Sequence, residues 1–520
     1  MSPPLKENLV DTSIRSNDDA LDLRSPKGED ILESELEDEV LALKTRLVND
    51  ANDDLGWTPF HWKLFFLNGF GYAVDSLLTM VQGVTGPQAF LELATASSYV
   101  NAGVVAQNVG LVVGALFWGF GADILGRRLA FNLTLWITSL AMIIGGAAPN
   151  LSFLCAFLAL STFGSGGNLI LDPTVLLEFL PSNKQWVVTA LAGWWGFGQS
   201  ITGFIAWGFM TQSRWNCSTS DDCGWNNNAG WRYVMFTCGA LVFVLSVLRV
   251  TVIRLVETPK YLLANGRDAD LVKYYQDQAR KYNRPCTLTL EKLQACGEIR
   301  LKHNGKRTLI LSDVKNHVKG LFVSRNTTLS TLLIWASWAI MGLAYPLFYV
   351  FLPAYLSTRV PGKVVSQFET YRNLTLTTIS GIPGPLIAGY LVETKLGRKY
   401  TMFIGALSGM ALFFGITGIK TDKQNVGISC AICRAPACCI NIYYSTFYAY
   451  TAEVLPSAHR ATGSGIAVSF NRIMGIVSAF VASSGNTATA VPLYVCAALF
   501  GGLALIAALF PFEPNGRRSS

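Results

Sequence analysis

The side chains best placed to do chemistry in this 520-residue chain are charges set deep inside apolar stretches. Asp75 lies about thirteen residues into the run 63–84, roughly 20 Å along a helix rising ~1.5 Å per residue. Arg434 and Arg472 lie about eight and ten residues into the runs 426–453 and 462–484. An ionisable group that far from water is costly, and by default it marks an ion or substrate pathway. A carboxylate there can take up and release a proton. A guanidinium stays protonated, so it needs a counter-charge or carbonyls, or it holds a planar anion in a bidentate clamp. Asp75 is therefore read as a proton or substrate site, the alternative being a structural carboxylate bonded to a neighbouring segment. For Arg434 and Arg472 the alternatives are an internal partner such as Asp75, or a substrate carboxylate. Asp172 follows Asn168 by four and shares its helix face. Cavity-lining and structural readings of that pair stay equally open.

Around these charges lie amides and aromatics at helical spacing. Asn441, Tyr444 and Tyr448 stand at i, i+3 and i+7, beside Tyr443. Tyr345, Phe348 and Tyr349 cluster earlier, as do Trp194, Trp195 and Gln199. Aromatic stripes in membrane helices commonly serve packing. A subset lining a midplane cavity would suit a small planar or ring-shaped solute, oriented by hydroxyl and amide groups.

The elements that must position these groups follow from composition. Hydrophobic residues make up 51% of the chain and charged ones 14%, against the quarter or so charged in soluble domains, and mean hydropathy is +0.35. This is a polytopic membrane protein, so the net charge of +7 does not signal nucleic-acid binding. Runs of about twenty apolar residues predict twelve spans: 63–84, 99–122, 129–148, 151–179, 186–211 and 232–255, then 329–356, 370–393, 400–419, 426–453, 462–484 and 490–511. They define a polar, acidic tail (1–60), expected to be mostly disordered apart from a short amphipathic helix within 33–47. Next come a six-span bundle (61–256), a Lys/Arg-rich central loop (257–328), a second bundle (329–511) and a short tail (512–520). The fold class is thus all-α, with both termini on one side. The polar, acidic start lacks an early apolar core, so no secretory leader is expected before the first span. Positive charge concentrates in the connections assigned to the cytoplasm, which include Arg127, Arg128, Lys184, Arg398, Lys399 and Arg460. On the opposite side, Asn216-Cys217-Ser218 is a glycosylation acceptor pattern, and Cys217 could pair with Cys223. Most other cysteines lie in apolar runs as small soft hydrophobes. Cys430-x-x-Cys433 has metal-like spacing but lacks His or acid partners in its span, so no metal and no cofactor is expected.

Two internal echoes join the halves. Gly119-Phe-Gly121-Ala-Asp123-Ile-Leu-Gly126-Arg127-Arg128 closes the second span, and Gly389-Tyr-Leu-Val-Glu393-Thr-Lys-Leu-Gly397-Arg398-Lys399 closes the eighth. Glu178-Phe-Leu-Pro181-Ser182 ends the fourth span, and Glu453-Val-Leu-Pro456-Ser457-Ala-His459-Arg460 ends the tenth. Parallel six-span repeats of this kind resemble the major facilitator superfamily, over nearly all of 57–511. Glu257-Thr-Pro259-Lys-Tyr-Leu262 resembles an element of its sugar-porter-like families. Gly166-Gly167-Asn168…Asp172, Gly381-Ile-Pro-Gly-Pro385 and Tyr450-Thr-Ala-Glu453 resemble the branch around the synaptic-vesicle-related proteins and their fungal and bacterial metabolite carriers.

That resemblance implies a secondary transporter, not an enzyme, working by alternating access as a monomer in the plasma membrane. Its coupling ion would be the proton, and no Gly-x-x-x-x-Gly-Lys-Ser/Thr loop for ATP occurs. The solute would be a small organic molecule, with a lean to an aromatic or pyridine monocarboxylate. A sugar or polyol carrier, an efflux pump and a non-transporting sensor are the alternatives. Span 7 lacks the paired glutamines usual in hexose porters, which lowers the sugar reading. The resemblance also makes the Gly119–Arg128 turn a cytoplasmic latch. Gly119 and Gly121 would admit span 11, Asp123 would cap a neighbouring helix, and Arg127 and Arg128 would pair with Asp123 or Glu178. Glu393, Gly397, Arg398, Glu453 and Arg460 would form the related gate of the second half.

Overall fold

The computed structural model describes residues 39–94, 101–125, 127–217, 223–252, 257–297, 315, 317–359, 366–418, 426–484, 489 and 491–514. All regular secondary structure among them is helical. The spans of the first half are Pro59–Leu93, Ala102–Leu125, Arg127–Gly146, Leu151–Ser165 continued by Asn168–Phe179, Trp186–Leu191 continued by Gly193–Met210, and Gly230–Val252. Those of the second are Arg325–Arg359, Gln367–Gly381 continued by Pro383–Glu393, Gly397–Gly418, Val426–Val454, Arg460–Ser484 and Val491–Leu509. Ten are long and apolar enough to cross a membrane by length and hydropathy alone; spans 5 and 10 complete the twelve. Spans 1 and 7 run longer than their apolar cores predict, 35 residues each.

The two halves meet where span 2 packs on span 11 and span 5 on span 8, while the inner part of span 4 reaches spans 10 and 11. Small residues set the first seam. A Cβ on Gly119 would stand 2.9 Å from the Ala461 carbonyl and 3.1 Å from the Gly465 Cα, so only glycine fits this approach. Gly121 does not share that role, since a Cβ there meets nothing within 4 Å.

The tail departs from expectation. Residues 1–38 lie outside the described residues, but Glu39–Leu55 is a helix, α1, docked on a layer of short helices from the central segment. That layer comprises α2 (Pro259–Ala264), α3 (Asp268–Tyr282) and α4 (Leu290–Ala295). Leu41, Val48, Ala51 and Leu55 fall on one face of α1 and are buried against Leu262, Leu263, Leu271, Tyr275 and Leu293. The short amphipathic helix expected within 33–47 is present but runs on to Leu55, and its apolar stripe at helical period docks it rather than leaving it in a disordered tail.

Candidate functional site

Two charged groups from opposite halves meet in the protein interior. Asp75 of span 1 is 1% exposed and Arg472 of span 11 is 9% exposed, and the Arg472 Nη2 donates to Asp75 Oδ2 at 3.2 Å. Ser165, at the break in span 4, donates its hydroxyl to the other Asp75 oxygen at 3.3 Å. The internal partner entertained for Arg472 is thus Asp75 itself. The side chain of Arg434 lies outside the described residues.

Beside this pair is a narrow cavity lined by Tyr72, Trp195, Tyr345, Asn441, Tyr444 and Tyr448 among others. Tyr448 borders both regions, lying within electrostatic reach of Arg472, Asp75 and Tyr345. The aromatic rings stand edge to face, Tyr345 on Tyr444 at 5.0 Å and Trp338 on Tyr448 at 4.6 Å. The polar groups are oriented: Gln199 donates to the Tyr345 hydroxyl at 3.3 Å, and Asn441 donates to the Gly381 carbonyl at 3.1 Å. The Tyr349 side chain lies outside the described residues. Sequence reasoning missed Tyr72, although it stands three residues before Asp75, one helical turn away and on the same face.

Asp172 and Asn168 are placed elsewhere. Asp172 pairs with Arg249 of span 6, which also donates to the Phe131 carbonyl at 2.9 Å and to Asn168 Oδ1 at 3.2 Å. Thr134 donates to the same Asn168 oxygen at 2.7 Å, and the Arg249 guanidinium lies 3.5 Å from the Phe131 ring centroid. All these groups belong to the first half and none lines the cavity, so the structural reading of Asp172 and Asn168 replaces the cavity-lining one. Asp172→Asn is expected to destabilise the folded protein by about 3–5 kcal/mol, because it strands a buried guanidinium. Thermal unfolding would show this, with Asp172→Asn/Arg249→Leu recovering much of the loss and solute affinity unmoved in the folded fraction.

One end of the helix bundle carries a second network, built twice. In the first half Arg127 pairs with Glu178 and donates to Thr258 at 3.3 Å. The Arg127 and Arg128 backbone N–H groups donate to Glu257 at 3.2 and 3.3 Å. In the second half Arg398 grips Glu453 in a bidentate pair at 3.0 and 2.9 Å, and the Arg398 and Lys399 N–H groups donate to Glu513 at 2.9 and 3.0 Å. A carboxylate at a helix N-terminus satisfies orphan donors and suits the dipole. Glu257 and Glu513 therefore hold the ends of spans 3 and 9, a role that sequence reasoning gave to neither. The signal was present, an acid just before a proline after the sixth span of each half. Burial pushes the Glu257 carboxyl above its usual range, opposed by these N–H donors.

The halves are tied across this layer. Arg460 of span 11 reaches Glu178 at 3.7 Å, and Arg127 donates to the Ser457 carbonyl at 3.0 Å. Gly397 enters span 9 at φ +64°, where glycine is favoured. Glu393 is exposed and joins no ion pair among the described residues, contrary to its expected place in the gate. Gly126 and the Asp123 side chain lie outside the described residues. Nearby, His317 and His459 touch through their Nδ1 atoms at 2.8 Å, and burial followed by the neighbouring His317 drives the His459 imidazole down to about 3.

On the opposite face Cys217 and Cys223 form a disulfide with Cα atoms 5.5 Å apart. Asn216 is buried and donates its amide to the Gln212 and Phe209 carbonyls at 2.8 and 3.0 Å. The nitrogen a glycan would need is thus turned inward, and glycosylation at Asn216 is not carried forward. Among the described residues no three His, Cys, Asp or Glu side chains gather to hold a metal.

The family described as Major Facilitator Superfamily matches residues 68–479. MFS siderochrome iron transporter 1 of Ceriporiopsis subvermispora is 36% identical, covering 94% of each chain. The niacin transporter NiaP of Acinetobacter baylyi is 26% identical, over 81% of this chain and 86% of its own. The proton:xylose symporter XylE of E. coli superposes with a TM-score of 0.64, covering 88% of this chain and 97% of its own, at 17% identity, a likeness of fold. With its twelve spans in two equivalent halves and its network doubled at one end of the bundle, this chain belongs to the Major Facilitator Superfamily and is a membrane transporter.

Proposed function

We propose that this transporter carries a small monocarboxylate bearing a flat ring, together with a proton, by alternating access. The observation that carries the reading is the Asp75–Arg472 pair, which spans the two halves beside an aromatic cavity. A guanidinium is the best side chain for seizing a carboxylate in two-point fashion. Here it is held by Asp75, so the solute can take Arg472 only when Asp75 gives it up, and protonation of Asp75 is the means. Tyr72, Trp195 and Tyr444 would face the ring of the solute. The naming of one relative as a niacin transporter supports this class, niacin being a pyridine carboxylic acid. The positive-inside distribution favours cytoplasmic termini, and a plasma-membrane location fits an uptake role.

The test is uptake of radiolabelled nicotinate, benzoate and xylose into proteoliposomes, with and without an imposed pH gradient. Gradient-dependent accumulation of the acids but not of xylose supports the proposal; no acid-dependent proton movement refutes it. Arg472→Lys is expected to weaken carboxylate affinity by about tenfold or more, as the bidentate geometry is lost, while sparing neutral solutes.

A neutral polyol is the second reading, favoured by Gln199, Tyr345 and Asn441 around the cavity. Xylose uptake indifferent to Arg472→Lys would establish it.

A further inference from the structure

We infer that α1 belongs to the cytoplasmic gate, with Asn52 and Asp53 as positioning residues that hold the inner end of span 4 where Glu178 meets Arg127 and Arg460. This goes beyond the substrate proposal and does not depend on it.

A helix C-terminus leaves its last carbonyls without partners inside the helix. At the end of span 4, those of Glu178 and Phe179 are met from outside. Asn52 Nδ2 donates to the Glu178 carbonyl at 3.1 Å, and His61 Nε2 lies 2.9 Å from the Phe179 carbonyl. His61 Nδ1 accepts the Thr58 N–H at 3.0 Å, so Nε2 carries the proton and donates. The next turn is held as well, because Asp53 Oδ1 accepts both the N–H and the hydroxyl of Ser182 at 2.7 Å each. Asn52 is itself fixed by the Tyr275 hydroxyl, which donates to its Oδ1 at 2.8 Å. Lys44 pairs with Asp268 at 2.7 Å and anchors α1 to α3 further along.

These contacts reach span 1 through a short, rigid elbow. Gly56, at φ +60°, closes α1 with its N–H on the Asn52 carbonyl at 3.0 Å, a common left-handed helix stop. Thr58 then opens span 1, with Pro59 in the first turn. α1 therefore ties span 1 to span 4 at the very turn whose carboxylate bridges the halves. The Glu178 backbone faces α1 while its side chain faces Arg127 and Arg460. A turn ordered in advance loses less freedom when its charged side chain engages, so this docking favours the inside-closed state.

The test places a reporter cysteine at Ser445, which is buried and lines the cavity. Inside-out and right-side-out vesicles of the full chain are treated with a membrane-impermeant maleimide, and the chain retaining Ser445 supplies the background. Asn52→Leu combined with Asp53→Asn should raise labelling from the cytoplasmic face roughly tenfold, the shift expected when such hydrogen bonds are lost. Labelling from the outer face should not rise. Asn52→Gln, which keeps the donor, should restore most of the slow rate. Where the double variant fails to reach the membrane, Asp53→Asn alone provides the same reading. Unchanged labelling overturns the inference, and so does an equal rise from both faces, which would signal general loosening.

Discussion

Asp75→Asn should abolish proton-driven accumulation while leaving carboxylate binding intact and no longer sensitive to pH. A gradient of two pH units can drive at most about a hundredfold accumulation at one proton per solute, since each unit is worth ~1.4 kcal/mol. That entire factor should vanish, because the amide does not titrate and never competes as an anion for Arg472. In the parent, the 3.2 Å contact makes the ionised Asp75 an occupant of the guanidinium. Lowering the pH protonates Asp75, so affinity for an anionic solute should rise on acidification in the parent and stay flat in the variant. The variant also leaves a buried cation without its partner, at a cost of about 3–5 kcal/mol in the empty protein. Asp75→Asn/Arg472→Gln removes both charges and is the control: it should fold more stably than Asp75→Asn yet bind no carboxylate. Full pH-dependent accumulation by Asp75→Asn would refute the proton-carrier role.

Glu178→Gln should have the second-largest effect, on turnover. Its carboxylate is fully buried and faces two guanidiniums, Arg127 from its own half and Arg460 from the other. Neutralising it strands both cations, a loss on the scale of ~3–5 kcal/mol borne by the inside-closed state. The maximal rate of net uptake should fall by about a hundredfold or more, with half-saturation changing far less. Exchange between internal and external solute, which needs no empty return, should suffer less. Glu453→Gln is the informative comparison. Glu453 is gripped by Arg398 inside one half, so its loss should lower thermal stability without changing which face the cavity opens to. Identical effects of the two variants on sidedness would rule out a special role for Glu178.

The sequence made the architecture legible because twenty-residue apolar runs and doubled motifs are strong, local signals. Asp75, Arg472 and the Tyr444–Tyr448 stripe were equally legible, since intramembrane charge is rare and helical spacing is regular. Their pairing stood only as one of two alternatives, because a single chain gives no pairing information across 397 positions. Asp172 illustrates the limit. Its one-face relation to Asn168 was right, but Arg249, inside the apolar run 232–255, was not weighed as an intramembrane charge, so the partner that makes Asp172 structural went unseen. The same holds for Glu257 and Glu513, which act through backbone donors that no side-chain motif displays. The docking of α1 was hidden for another reason: the helix was expected within 33–47, but its partners lie more than two hundred residues away in α3.

One guanidinium shared by two carboxylates has a consequence for membrane voltage. On the proposed reading the empty site holds Asp75 ionised against Arg472, a sum of zero. The loaded site holds a protonated Asp75, Arg472 and the solute anion, again zero. Neither crossing moves net charge through the bilayer field, where each elementary charge would exchange ~2.3 kcal/mol per 100 mV. Transport should then follow the chemical difference in protons alone and ignore the electrical one. A carrier of this kind would keep accumulating its solute in a depolarised cell, so long as the outside stayed acidic.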